Sequence, residues 1–121
     1  MRLVDSNILI YAAKPEYPEL KDLLEHENIA VSELTRLETL GYHSITVEAE
    51  EYFNAVFTLV TVLPINAAII DKAIQLRQLH NMKAADSIIA ATALLYCTDL
   101  ITRNTKDFIH IPDLIIHNPI D

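Results

Sequence analysis

Four carboxylates in this chain stand where packing alone gives no reason for an acid. Asp5 follows a bare apolar strand start, Arg2-Leu3-Val4, and precedes the small polar pair Ser6-Asn7 and the apolar Ile8, Leu9 and Ile10. That is the pattern of a strand-to-helix corner, the place where ligands bind in open α/β sheets. Glu38 stands with Leu34, Leu37 and Gly41 at i, i+3, i+4 and i+7, so the spacing predicts a carboxylate on an apolar helical stripe. Asp86 shares a face with Ile89, Ala90, Ala93 and Cys97, and Asp107 lies in the polar run Arg103 to Phe108.

Taken singly, each acid has an ordinary explanation: a helix cap for Asp5, a misphased surface position for Glu38, dipole complementation for Asp86, a turn for Asp107. Taken together they can converge at one end of a parallel sheet. Four carboxylates held together would repel one another and raise one another's pKa values, an arrangement that makes physical sense around a hard divalent cation. Mg²⁺ or Mn²⁺ suits an all-oxygen site that keeps several waters, and such an ion can activate a water for attack on a phosphodiester. Ser6, Asn7, Thr102 and Asn104 are the candidates to orient the carboxylates or hold a water; helix caps and loop polar groups are the equally available reading.

The elements that position these residues follow from the apolar pattern. Lys14-Pro15 stops a short first helix, Pro18 opens a second over Glu19 to Glu27, and Ile29-Ala30-Val31 reads as the second strand. Ser32 caps the helix that carries Glu38, and Ser44 or Thr46 caps the next, in which Ala49, Phe53, Val56, Phe57 and Val60 face inward. Thr61-Val62-Leu63 is a third strand. A long helix capped by Asn66 follows, then the most apolar helix, opened by Lys83 to Ser87. Leu100-Ile101-Thr102 is the fourth strand and Leu114-Ile115-Ile116 a last short one. Continuous apolar strands separated by helices predict an α/β fold: a central parallel sheet of four to five short strands with helices on both faces.

At 121 residues the chain reads as one domain, 1–121, able to bury a core; 51% hydrophobic and 21% charged residues with one Gly exclude disorder and fibrous repeats. There is no basic-then-apolar leader and no apolar run long enough to span a bilayer, so the expectation is a cytoplasmic protein with no membrane partner. Cys97, the lone cysteine, reads as a small buried hydrophobe. His26, His43, His80, His110 and His117 show no zinc-ligand spacing. Seventeen acidic against nine basic residues give a net charge of −8, which leaves few cations for phosphate contacts; Lys14, Lys83, Arg103 and Lys106 are candidates to ring the site, or ordinary surface charges.

At Asp5-Ser6-Asn7, Leu34 to Glu38 with Leu40-Gly41-Tyr42-His43, Ala85-Asp86-Ser87 through Ala93, Leu100 to Phe108 and Ile115 to Pro119, the sequence resembles a PIN domain. Within that family it is similar to the VapC-type toxin ribonucleases of type II toxin–antitoxin pairs. The resemblance implies a Mg²⁺- or Mn²⁺-dependent endoribonuclease acting on structured RNA such as tRNA or rRNA. It places metal binding and catalysis on Asp5, Glu38, Asp86 and Asp107, with Thr102 and Asn104 as companions. It further implies a homodimer blocked by a cognate antitoxin. The family often has glycine where this chain has Tyr96-Cys97-Thr98-Asp99. The alternative is a catalytically inactive PIN-like module that sequesters an antitoxin or another partner. A phosphatase or phosphotransferase of flavodoxin-like build is a weaker third reading, because no phosphate-cradling glycine loop is present.

Overall fold

The arrangement begins with strands too short to alternate and apolar at nearly every position. The computed structural model describes residues 1–120 and contains β1 (Arg2–Val4), β2 (Ile29–Ser32), β3 (Thr61–Leu63), β4 (Leu100–Ile101) and β5 (Ile116–His117). All pair in parallel, in the order β3-β2-β1-β4-β5. The pleat sends neighbouring residues to opposite layers: Leu3, Ala30 and Leu100 join one buried cluster, while Val4, Val31 and Ile101 join the other. Both faces are therefore covered, as continuous apolar strands require.

Six helices supply the covers: α1 (Ser6–Ala12), α2 (Pro18–His26), α3 (Glu33–Leu40), α4 (Val47–Leu59), α5 (Ala67–Leu79) and α6 (Ala84–Tyr96). Ile8, Leu9, Leu20, Leu24, Phe53 and Val56 pack on one layer, and Ile69, Ala73, Leu76, Ile89, Ala90 and Ala93 on the other. Caps fall where short polar side chains precede helices: Ser32 Oγ accepts from Leu34 N, Thr46 Oγ1 from Ala49 N, and Asn66 Oδ1 from Ile69 N. Of the two candidates ahead of α4, Thr46 takes the role. Thr105–Asp107 forms a single 3-10 turn after β4.

Two expectations are corrected. The stripe predicted for α3 over Leu34, Leu37, Glu38 and Gly41 is rotated: Thr35 and Thr39 are buried, Glu38 is exposed at the rim, and Leu37 is 69% exposed. The cause is polar. Thr35 Oγ1 meets Ser6 Oγ of α1 at 2.9 Å and Thr39 Oγ1 donates to the Thr35 carbonyl at 2.7 Å, so two threonines are satisfied inside and leucine is left out. The last strand lies at Ile116–His117, not Leu114–Ile116, because Leu100 N and Thr102 N donate to the Ile115 and His117 carbonyls and so fix the register one residue further on.

β1 lies between β2 and β4, which leave it in opposite directions across the sheet. Its C-terminal end is the switch point, and the next residue is Asp5.

Candidate active site

Asp5 is both the corner and the floor of the site. As N-cap of α1 its Oδ1 accepts from Ser6 N at 2.8 Å, so the structural role read from sequence is real. Its Oδ2 faces the neighbouring strand, accepting from Thr102 Oγ1 at 2.9 Å and Asn7 Nδ2 at 3.2 Å. Thr102 Oγ1 also accepts from Asn104 N, and Asn7 Oδ1 accepts from Arg103 N. Asn7 and Thr102 thus stitch the β1–α1 corner to the loop after β4. Only 8% of Asp5 remains exposed. Burial pushes its carboxyl up to about 6 against the opposing pull of the Thr102 and Ser6 hydrogen bonds, and the charges of Asp86 and Glu38 add to the rise.

Glu38 reaches the site from the rim. Ser6 Oγ donates to its Oε1 at 2.7 Å, so the serine next to Asp5 aims the second carboxylate. Asp86, half-buried in the first turn of α6, has its pKa raised by burial first and then by Asp107, with Lys83 opposing and Glu38 contributing. Asp5, Ser6, Asn7, Glu38, Asp86 and Asn104 line one cavity of about 280 Å³. Asp107 does not line it. It lies across Asp86 in an adjoining cleft of about 550 Å³.

The structure therefore brings three of the four predicted acids to one cavity and sets the fourth at its edge. Of the candidate cations, Lys83 and Lys106 line the adjoining cleft, whereas Lys14 and Arg103 lie over the ring of Tyr11 at 5.0 and 4.7 Å. Thr35 and the cleft residues Arg77 and His110 were not marked by any linear pattern; tertiary packing alone places them here. Cys97 is half-buried with its thiol raised by burial, in keeping with a packing residue.

The donor set is all oxygen, and mutual repulsion among the acids is what a divalent cation would relieve. Among the described residues, however, no three His, Cys, Asp or Glu side chains form a ready-made cage. These two facts are compatible for a small hard ion that keeps most of its waters and takes only one or two carboxylates directly.

A five-stranded parallel sheet with acids gathered at its switch point defines an α/β domain with its site at the C-terminal end of the strands, and the chain belongs to the PIN domain family, which it matches over residues 2–114. It is 35% identical to Ribonuclease VapC19 of Mycobacterium tuberculosis over 94% of this chain and 97% of that one. Among solved structures, a toxin–antitoxin complex from Klebsiella pneumoniae aligns with a TM-score of 0.80 at 33% identity, covering 100% of this chain and 99% of that one. VapBC2 from Rickettsia felis bound to a promoter DNA fragment aligns with a TM-score of 0.80 at 22% identity, covering 97% of each chain, a likeness of fold. No helix among the described residues is long and apolar enough to cross a membrane.

Proposed function

We propose that this protein is the toxin of a type II toxin–antitoxin pair, an endoribonuclease that uses Mg²⁺ or Mn²⁺ to hydrolyse RNA phosphodiester bonds, with tRNA or rRNA as substrate. The observation that carries the reading is the convergence of Asp5, Glu38 and Asp86 on one cavity at the sheet's switch point, in a chain 35% identical to a named ribonuclease. The 33% identical Klebsiella toxin–antitoxin complex supports a cognate antitoxin as partner, and the family resemblance supports a homodimer in the cytoplasm.

Asp5, Glu38, Asp86 and Asp107 would hold the cation in this reading, the first three from the cavity wall and Asp107 from the adjoining cleft. A bound divalent cation supplies charge neutralisation at the phosphate and a water of lowered pKa. The chain's own residues do the rest. Thr102 and Asn7 hold the Asp5 Oδ2 and fix the carboxylate plane, and Ser6 holds Glu38 toward the cavity. Asn104 stands on the cavity wall as a neutral donor for a water or a phosphate oxygen.

The test is induced expression of the wild type beside Asp86→Asn, with and without the neighbouring small open reading frame, followed by mapping of new RNA 5′ ends. Discrete cuts that need Asp86 and that the neighbour suppresses are expected. Growth arrest without cuts, or equal effects of the two proteins, would overturn the reading in favour of a protein-binding module.

A further inference from the structure

The acidic chain spends its few cations unevenly. Of nine Lys and Arg residues, Arg2 pairs with Asp99 and Glu27 and Arg36 with Glu33; Lys21 donates to the Ala12 carbonyl, and Lys14 and Arg103 lie over Tyr11. Three others, Arg77, Lys83 and Lys106, line one cleft beside the carboxylate cavity, together with His110. Asp86 and Asp107 line the same cleft, yet among the described residues none of these three cations comes within ion-pair distance of a carboxylate.

Their positions are set by the fold. Arg77 Nε donates to the Met82 carbonyl at 3.2 Å, which anchors the guanidinium against the turn between α5 and α6. The His110 ring packs edge-on against His80 with centroids 4.7 Å apart. Lys83 is the N-cap of α6 and makes no side-chain cap, so the first-turn amides of a 13-residue helix open beside the same cleft.

We propose that this cleft is a phosphate-binding subsite, in which Arg77, Lys83, Lys106 and His110 hold an RNA phosphate neighbouring the one that is cut. The proposal rests on the ribonuclease reading above. Asp86 lines both the cleft and the carboxylate cavity, so a strand whose phosphate meets a cation in the cavity lays a flanking phosphate in the cleft. Unpaired cations in a polar cleft supply the phosphate contacts that a net charge of −8 otherwise denies.

The test measures cleavage of deproteinised total bacterial RNA in Mg²⁺ between about 50 and 200 mM salt. The proteins are the wild type, the double variant Arg77→Gln with Lys106→Gln, the charge-retaining double variant Arg77→Lys with Lys106→Arg, and the control Lys72→Gln on the same helix α5. The double Gln variant is expected to raise the apparent KM about tenfold or more, and to flatten the slope of log kcat/KM against log salt by up to roughly 0.7, the value for one lost phosphate contact. Charge-retaining replacements restore the slope and Lys72→Gln leaves it alone. A wild-type KM and slope in the Gln variant would overturn the proposal, as would an equal loss in Lys72→Gln, which would mean diffuse electrostatics. A wild type that cuts no RNA would overturn the ribonuclease reading itself, and the subsite with it.

Discussion

At the scale of single residues, the site depends on side chains that act through others. Ser6 touches no cation in the proposed reading, but its hydroxyl is what holds Glu38 at 2.7 Å. Ser6→Ala is expected to weaken Mg²⁺ dependence about 10–100-fold, the usual effect of removing a ligand's supporting hydrogen bond. A Mg²⁺ titration of cleavage checks it; an unshifted midpoint would show that the Ser6 hydrogen bond does not support the site. Asp5 makes a second prediction. Its carboxyl sits at about 6 in the fold, above the ordinary 3.8, so the native state binds more protons than the unfolded chain between those values. Stability from the neutral acid is full below about 4 and is lost as pH rises through about 6, by at most about 3 kcal/mol at the 1.36 kcal/mol worth of each pKa unit. A cation that binds the carboxylate reverses this loss. The rise in Tm given by Mg²⁺ should therefore grow from pH 5 to pH 7, and a pH-independent rise would detach Asp5 from the cation.

At the scale of elements, the instructive case is α3. Its cap Ser32 was legible, because short polar side chains have a local job at helix starts; its end at Leu40 was not, since Gly41 was read as part of the stripe. Its rotation was not legible, because Thr35 and Thr39 are buried through hydrogen bonds to Ser6 and to the helix's own backbone, partners that apolar periodicity does not register. Glu38 was picked out as an acid within a stripe and proves to be a rim residue. It still reaches the cavity, through Ser6 and not through burial. Gly41 has φ of −83°, so no unusual conformation requires glycine there. Close approach does: a Cβ at this position would press on the Leu37 carbonyl oxygen, the acceptor of the Gly41 N–H at 2.9 Å. Gly41→Ala is expected to cost about 1–3 kcal/mol, read as a lower urea midpoint, because the backbone must shift to admit the methyl group. A midpoint equal to the wild type would show that the turn relaxes freely.

At the scale of the whole molecule, the parallel sheet was legible because its strands are apolar on both faces, and Asp5 and Asp86 because each interrupts an apolar pattern, whereas Glu38 was picked out on a stripe that the fold rotates. Of the cleft's cations, Lys83 and Lys106 were named as candidates to ring the site, but Arg77 was not, since it is 29 positions from Lys106 and meets it only when α5 and the turn after β4 fold together. The two edges of the sheet carry different tasks. Carboxylates left in mutual repulsion occupy the C-terminal edge, whereas the N-terminal edge holds the best-made ion pair: Arg2 Nε donates to both Asp99 oxygens at 3.1 and 3.0 Å, its second guanidinium nitrogen reaches Asp99 Oδ2 at 2.8 Å, and the third reaches Glu27 Oε1 at 3.0 Å. That fork ties the start of β1 to the segments preceding β2 and β4. With Arg2 26% and Asp99 14% exposed, the pair is partly screened, so Arg2→Met should cost about 1–3 kcal/mol, most of it the charge left on Asp99 without its fork. Because the loss falls at the edge opposite the cavity, kcat and the Mg²⁺ midpoint should stay at wild-type values well below the lowered Tm. A variant of normal stability would show the fork to be a solvated surface pair. A fall in kcat at unchanged Tm would mean that the position of β1, and with it the Asp5 carboxylate, is set from the far edge of the sheet.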